Sequence, residues 1–188
     1  MNYNKGVFPA SIRFWLNKRF GEEGVSRISA NLSLEARQMF DNPESKKWYP
    51  EYLVKEVYEA IDKEFGSAHP DVFKDYGSFN AERDAGGYLR YLMRFVTMQA
   101  LLKRIGAFWK QYNRGATVEM GPVSTAEGKK DVVFSVHDYD LGAKGCIVLE
   151  EYFKVLCGKT GANDVQVAKN SCIHKGDGCC SWKLSWRD

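Results

Sequence analysis

Five cysteines, Cys146, Cys157, Cys172, Cys179 and Cys180, fall in the last quarter of a 188-residue chain. The stretch Cys172-Ile173-His174-Lys175-Gly176-Asp177-Gly178-Cys179-Cys180 gathers three of them with one of only 3 histidines. Its glycines and aspartate suit a tight reversal that needs positive φ, and a hairpin there brings Cys172 and Cys180 towards each other. Zinc takes about four ligands in a tetrahedron, so Cys146, Cys172, His174 and Cys180 form a candidate metal set, with Cys179 as a substitute. The same cysteines also read as small buried hydrophobes, or as a Cys172 to Cys180 disulfide, because a second Cys-x-x-Cys knuckle is missing.

A second constellation is apolar. Tyr91, Phe95, Met98, Leu102 and Trp109 recur three, four or seven residues apart, so they share one face of a helix. Such a stripe reads first as core. It is also a candidate wall for an apolar pocket, with tyrosine or tryptophan supplying one or two hydrogen bonds. Conventional catalysis finds little footing. No serine sits in a nucleophile elbow and no Gly-rich phosphate loop follows a strand. His137 with Asp138 and Asp140 offers an acid-base cluster, but a strand-end histidine beside turn aspartates is more often structural.

The elements that must position these residues change period near Gly115. Ile12, Trp15, Leu16 and Phe20 predict a helix behind Pro9 that stops at Gly21. Leu53, Val54, Val57, Tyr58, Ile61 and Phe65 predict a second helix from Pro50 to Gly66. The segment from Ser67 to Gly87, with Pro70, Gly77 and Gly86-Gly87, reads as loop broken by short helical turns. A long central helix is predicted from Tyr88 to Tyr112. Beyond Gly115 the pattern alternates. Thr117 to Met120 pairs with Val132, Phe134 and Val136, a helix runs from about Gly145 to Leu156, Val165 and Val167 start another strand, and Cys180, Trp182, Leu184 and Trp186 share one face of the last. The expected fold is α+β in one domain spanning 1–188: a mainly helical part over 1–114 packed on an antiparallel sheet of about four strands with an inserted helix over 115–188.

Bulk properties narrow the function classes. The sequence is 44% hydrophobic and 14% aromatic, enough to build a core. Its net charge of +3 is interspersed, without the basic stripe of a nucleic-acid binder. The apolar residues of 1–20 are interrupted by Arg13, Asn17, Lys18 and Arg19, unlike a signal peptide, and no window suits a membrane helix. The expectation is a cytoplasmic protein with reduced thiols.

Gly145-Cys146 opening an apolar helix, then a strand, then Cys-x-x-x-Gly-Asp-x-x-Cys ending in Trp182 and Trp186, resembles the C-terminal signature of the 4-vinyl reductase domain family. The order of the preceding helices, including Trp109 and Tyr112 ahead of Gly115, is similar to the wider superfamily. That group also holds haem nitric-oxide-binding domains and the small subunits of the Golgi transport particle (TRAPP). The resemblance implies a helix-plus-sheet fold around a hydrophobic ligand pocket, used as a sensory module in phenol-responsive activators. It also implies a structural zinc on Cys146, Cys172 and Cys180. The phenol sensors place a glutamate shortly before the middle cysteine, where this chain has Lys169 and Asn170, so His174 or Cys179 would take the fourth place. Haem is disfavoured on the residues: the haem branch uses a helix histidine and a Tyr-x-Ser-x-Arg motif, whereas His69, His137 and His174 lie outside the central helix and the motif is missing. The expected function is a small-molecule sensor that takes an apolar or aromatic compound and signals through a partner protein. A homodimeric assembly protein and an accessory factor or enzyme of tetrapyrrole metabolism are the alternatives.

Overall fold

The computed structural model describes residues 1–87 and 97–187. Helix α1 (Val7–Ala30) carries Pro9 in its first turn and buries Ile12, Trp15 and Leu16. The stop expected at Gly21 is a kink instead. Gly21 takes φ 67°, a conformation that suits glycine, and the helical path then resumes to Ala30. Helix α2 (Leu34–Asp41) starts at Ser33, whose Oγ accepts from the Ala36 N–H at 3.3 Å. Helix α3 (Glu51–Ile61) runs on through a wider π turn, Asp62–Gly66, and buries the whole apolar stripe from Leu53 to Phe65.

The segment expected as loop is largely helix α4 (Val72–Gly86). Its glycine at 77 marks close packing rather than a turn. A Cβ there would lie 2.7 Å from the Val148 carbonyl oxygen, on the helix that α4 packs against. The central helix differs in extent. Its described part, α5 (Met98–Tyr112), has its own N-cap at Thr97, which is extended and accepts from the Ala100 N–H at 3.3 Å. The stretch 88–96, and with it Tyr91 and Phe95, lies outside the described residues.

Two antiparallel sheets complete the chain. A small one, not expected from the periodicity, joins β1 (Tyr3–Lys5) to β2 (Trp48–Pro50) and β3 (Asn113–Arg114). These strands are too short to show alternation. The main sheet runs β4 (Thr117–Met120), β6 (Lys129–His137), β8 (Cys180–Arg187), β7 (Asn163–Ser171), and β5 (Ser124–Ala126) adds to β6. Helix α6 (Gly142–Gly158) is the insertion between β6 and β7 and packs between α4 and the sheet. In register, Val132, Phe134 and Val136 oppose Leu184, Trp182 and Cys180. Their shared face meets the helices in one continuous core. The opposite face of β8 is less wet than its alternation implies. Ser181 and Ser185 are buried because β8 is central, and Ser171 and Asp131 on the flanking strands hydrogen-bond to them.

Candidate functional site

A cavity of about 320 Å³ lies among α1, α3, α4, α5 and α6. The stripe on α5 that faces it contains Leu101, Ile105, Phe108 and Trp109, and α6 contributes Val148, Phe153 and Leu156. Of the sequence-predicted ligand residues, Trp109 lines this space, with its Nε1 donating to the Ala116 carbonyl at 2.9 Å. Met98 and Leu102 are buried in the core and are not among the lining residues.

Residues missed in the sequence make the cavity more than an apolar hole. Tyr58 from α3, Tyr76 from α4, and Tyr139 from the loop before α6 all border it. The Tyr58 and Tyr76 rings lie 6.2 Å apart, and Tyr139 sits edge-on to Trp109 at 5.0 Å. Burial pushes all three phenols well above the ordinary tyrosine range, and their proximity adds to the shift of Tyr58 and Tyr139. They stay protonated donors. The Tyr76 hydroxyl is buried without a hydrogen bond of good geometry. Ser11 is close enough to act on the Tyr76 phenol, but its own hydroxyl is directed to Asn80 Oδ1 at 2.7 Å. The other polar groups of the lining are matched: Tyr152 donates to Asp84 at 3.0 Å, and Arg83 reaches Asn80 at 3.3 Å. Burial raises the Asp84 carboxyl above its usual value, opposed by Tyr152 and Arg83.

The thiols form a separate cluster. Ser171 donates to the Cys179 carbonyl at 2.9 Å and the Cys172 N–H donates to Asp177 at 2.6 Å, which closes the reversal between β7 and β8. Cys146, Cys172 and Cys180 then bring their sulfurs within 4.8 Å of one another, with Cys146 and Cys180 at 3.5 Å. His174 is not in this group. Its Nε2 lies 3.6 Å from Asp140 Oδ1, and Lys55 holds the same carboxylate at 2.8 Å. Against the cost of burial, Lys55, the Gly142 N–H and His174 keep Asp140 below the usual carboxylate range. The Lys169 ammonium, buried and 3.5 Å from the Trp182 ring centroid, also acts on the cluster. Burial pushes the Cys146 thiol up to about 12 despite Lys169. At Cys172 burial is outweighed by the His174 backbone N–H, Lys169 and the two neighbouring thiols, and that thiol is lowered. His137 and Asp140 do not form one acid-base pair: His137 Nε2 instead faces Glu119 at 3.5 Å.

The chain has the fold of the H-NOX domains. It superposes on an H-NOX protein from S. oneidensis in the Fe(II) state with a TM-score of 0.72 at 15% identity, covering 98% of this chain and 96% of that one. The unliganded Fe(II) H-NOX protein from K. algicida gives 0.69 at 12% identity, covering 98% and 97%. An oxygen-binding H-NOX domain related to soluble guanylate cyclases gives 0.63 at 10% identity, covering 97% and 94%. No protein-family model and no curated protein matches the sequence. The neighbours belong to the superfamily named from the sequence, in its haem-binding branch. The 4-vinyl reductase assignment itself receives no match.

These neighbours correct the cofactor expectation. Missing motifs disfavour haem, yet the structures matched over the full length are haem domains. Such motifs report on individual haem contacts, whereas the fold is carried by helix order and packing. Zinc, expected from the 4-vinyl reductase resemblance, finds no support. His174 is turned to Asp140, and a lysine ammonium stands beside the three thiols. The donor set around the cavity is a further observation: among the described lining residues there is no histidine, cysteine or methionine, and burial raises the phenols of Tyr58, Tyr76 and Tyr139. Tyrosine is the one haem-ligand type among these described lining side chains.

Proposed function

We propose that this chain is a single-domain sensory module that encloses an apolar small molecule between α1, α3, α4, α5 and α6 and reports occupancy to a partner protein. The observation that carries the reading is the cavity itself, of about 320 Å³, walled by helices from both halves of the chain. A ligand filling it replaces empty space with dispersion contacts on five helices at once, so binding couples their relative positions. The chain's own residues do two things. Phe108, Trp109, Phe153 and Leu156 exclude water from the ligand's apolar body, and the buried phenols offer it hydrogen bonds. The likeness to H-NOX structures, whose members here include nitric-oxide-ligated and oxygen-binding forms, supports a small-molecule role for this cavity. The output surface belongs to a partner protein or to a second copy of the chain.

The test is native mass spectrometry of protein purified without additives, read beside its denatured mass and visible spectrum. Melting is then followed with a panel of one- and two-ring apolar compounds. A retained small molecule, or a melting temperature that rises with ligand concentration, is expected. A porphyrin absorbance would identify the retained occupant as a tetrapyrrole. Protein that retains nothing and whose melting no compound shifts would overturn the reading. The same spectra report whether the chain is a monomer or a dimer.

A further inference from the structure

Resting on that cavity reading, we infer that the ligand is an uncharged ring compound carrying an oxygen acceptor, a ketone or quinone carbonyl, which enters oxygen first and accepts a hydrogen bond from Tyr76. The hydroxyl of Tyr76, a residue only 1% exposed, borders the cavity and makes no hydrogen bond of good geometry. A buried donor left unpaired is costly, and a ligand oxygen at this position would satisfy it. Tyr58 and Tyr139 stand around the same end.

Charge decides between a neutral and an anionic oxygen. At Tyr76 the charge of Arg83 is opposed by that of Asp84, 3.7 Å from it. Glu51 adds negative potential at Tyr139. Of the cations that line the cavity, Arg104 is solvent-exposed and Arg83 is set against Asp84, so desolvating a carboxylate or phenolate at Tyr76 would go uncompensated. The three phenols are held in their protonated form, which makes them donors to a lone pair. The other polar groups around the cavity are already engaged with one another, Tyr152 with Asp84 and Asn80 with Ser11. A ligand oriented the other way would therefore leave Tyr76 unpaired and would gain little in exchange.

The experiment uses three ring-matched probes on the full chain by titration calorimetry: 1-tetralone, tetralin, which lacks the carbonyl, and 1-naphthoate, which carries a charge. Tetralone is expected to bind about tenfold tighter than tetralin, the size of one hydrogen bond to an otherwise unpaired buried donor, with naphthoate weakest. In Tyr76→Phe the tetralone advantage is expected to fall to about one, with tetralin affinity unchanged, because only the hydroxyl is removed. Equal binding of tetralone and tetralin by the wild-type chain, a preference for naphthoate, or a tetralone advantage that survives Tyr76→Phe would each overturn the inference while leaving the cavity reading intact. Wild-type protein that binds none of the three would sink the cavity reading and the inference together. The wild-type comparison decides the matter even if the variant fails to fold.

Discussion

At the scale of single residues, the unpaired Tyr76 hydroxyl has a consequence for stability as well as for binding. Its ring packs 5.1 Å from Trp15 and 6.2 Å from Tyr58, contacts that phenylalanine keeps. Removing only the hydroxyl relieves a desolvation cost, so Tyr76→Phe is expected to stabilise the ligand-free protein by about 1 kcal/mol in urea unfolding. A lower midpoint would mean that the hydroxyl is satisfied in the unliganded protein. Glu51 is the second residue of this kind. It is buried at the start of α3, accepts from the Asp140 N–H at 3.2 Å and from Asn2 at 3.3 Å, and burial raises it above the ordinary 4.5 despite those bonds and Lys55. The folded state therefore holds this proton more tightly than the unfolded chain does. Its contribution to stability is fully present below pH 4.5 and is lost as pH rises through the folded value. Glu51→Gln, which imitates the protonated form, should flatten the melting-temperature profile between that pH and neutrality. A profile as steep as the wild type would refute this account.

At the scale of elements, the contact between α4 and α6 shapes the cavity, and Gly77 sets its spacing. A methyl at this position would meet the Val148 oxygen at 2.7 Å and Glu151 Cβ at 3.0 Å, and two of these three contacts are with α6 backbone, since Tyr152 N lies at 3.4 Å. Gly77→Ala should push the helices apart and lower stability by about 1 to 3 kcal/mol. Gly86→Ala in the same helix meets nothing within 4 Å and serves as the control, expected within about 0.5 kcal/mol of wild type. Equal midpoints for the two variants would show that α4 and α6 can separate freely. This element also explains why α4 went unread. Glycine and proline in a sequence suggest a loop, yet here Gly77 permits close approach of two helices. Its apolar residues, Val72, Phe73, Tyr76 and Ala81, are buried without forming one clean stripe, because α4 is covered from more than one side.

At the scale of the whole molecule, helices and sheet share one core, and Trp182 stands where they meet. Its ring stacks on Phe134 at 5.1 Å, and the Lys169 ammonium covers it at 3.5 Å. Trp182→Ala is expected to cost about 3 to 5 kcal/mol, a large share of the roughly 5 to 15 kcal/mol that holds a domain together, and to unfold helices and sheet in one transition. Circular dichroism and tryptophan fluorescence that melt separately would instead point to two independent units. No described helix is long and apolar enough to cross a membrane.

Much of this organisation was written locally. Period alone placed α3, the last strand with Cys180, Trp182, Leu184 and Trp186 inward, and the change from helices to antiparallel strands at Gly115, because a buried face must repeat at the spacing of its own backbone. The meeting of Cys146, Cys172 and Cys180 was legible for a related reason: a tight reversal forces its ends together, and the 4-vinyl reductase resemblance placed Cys146 beside them. What only the tertiary structure decided is which side chains face empty space. Trp109 and Leu102 belong to the same apolar run, yet Trp109 borders the cavity and Leu102 fills core. Tyr58, Tyr76 and Tyr139 come from three separate segments and become one site through helix packing. Periodicity reports that a residue is buried; whether its neighbour is another side chain or a cavity depends on contacts between residues far apart in the chain.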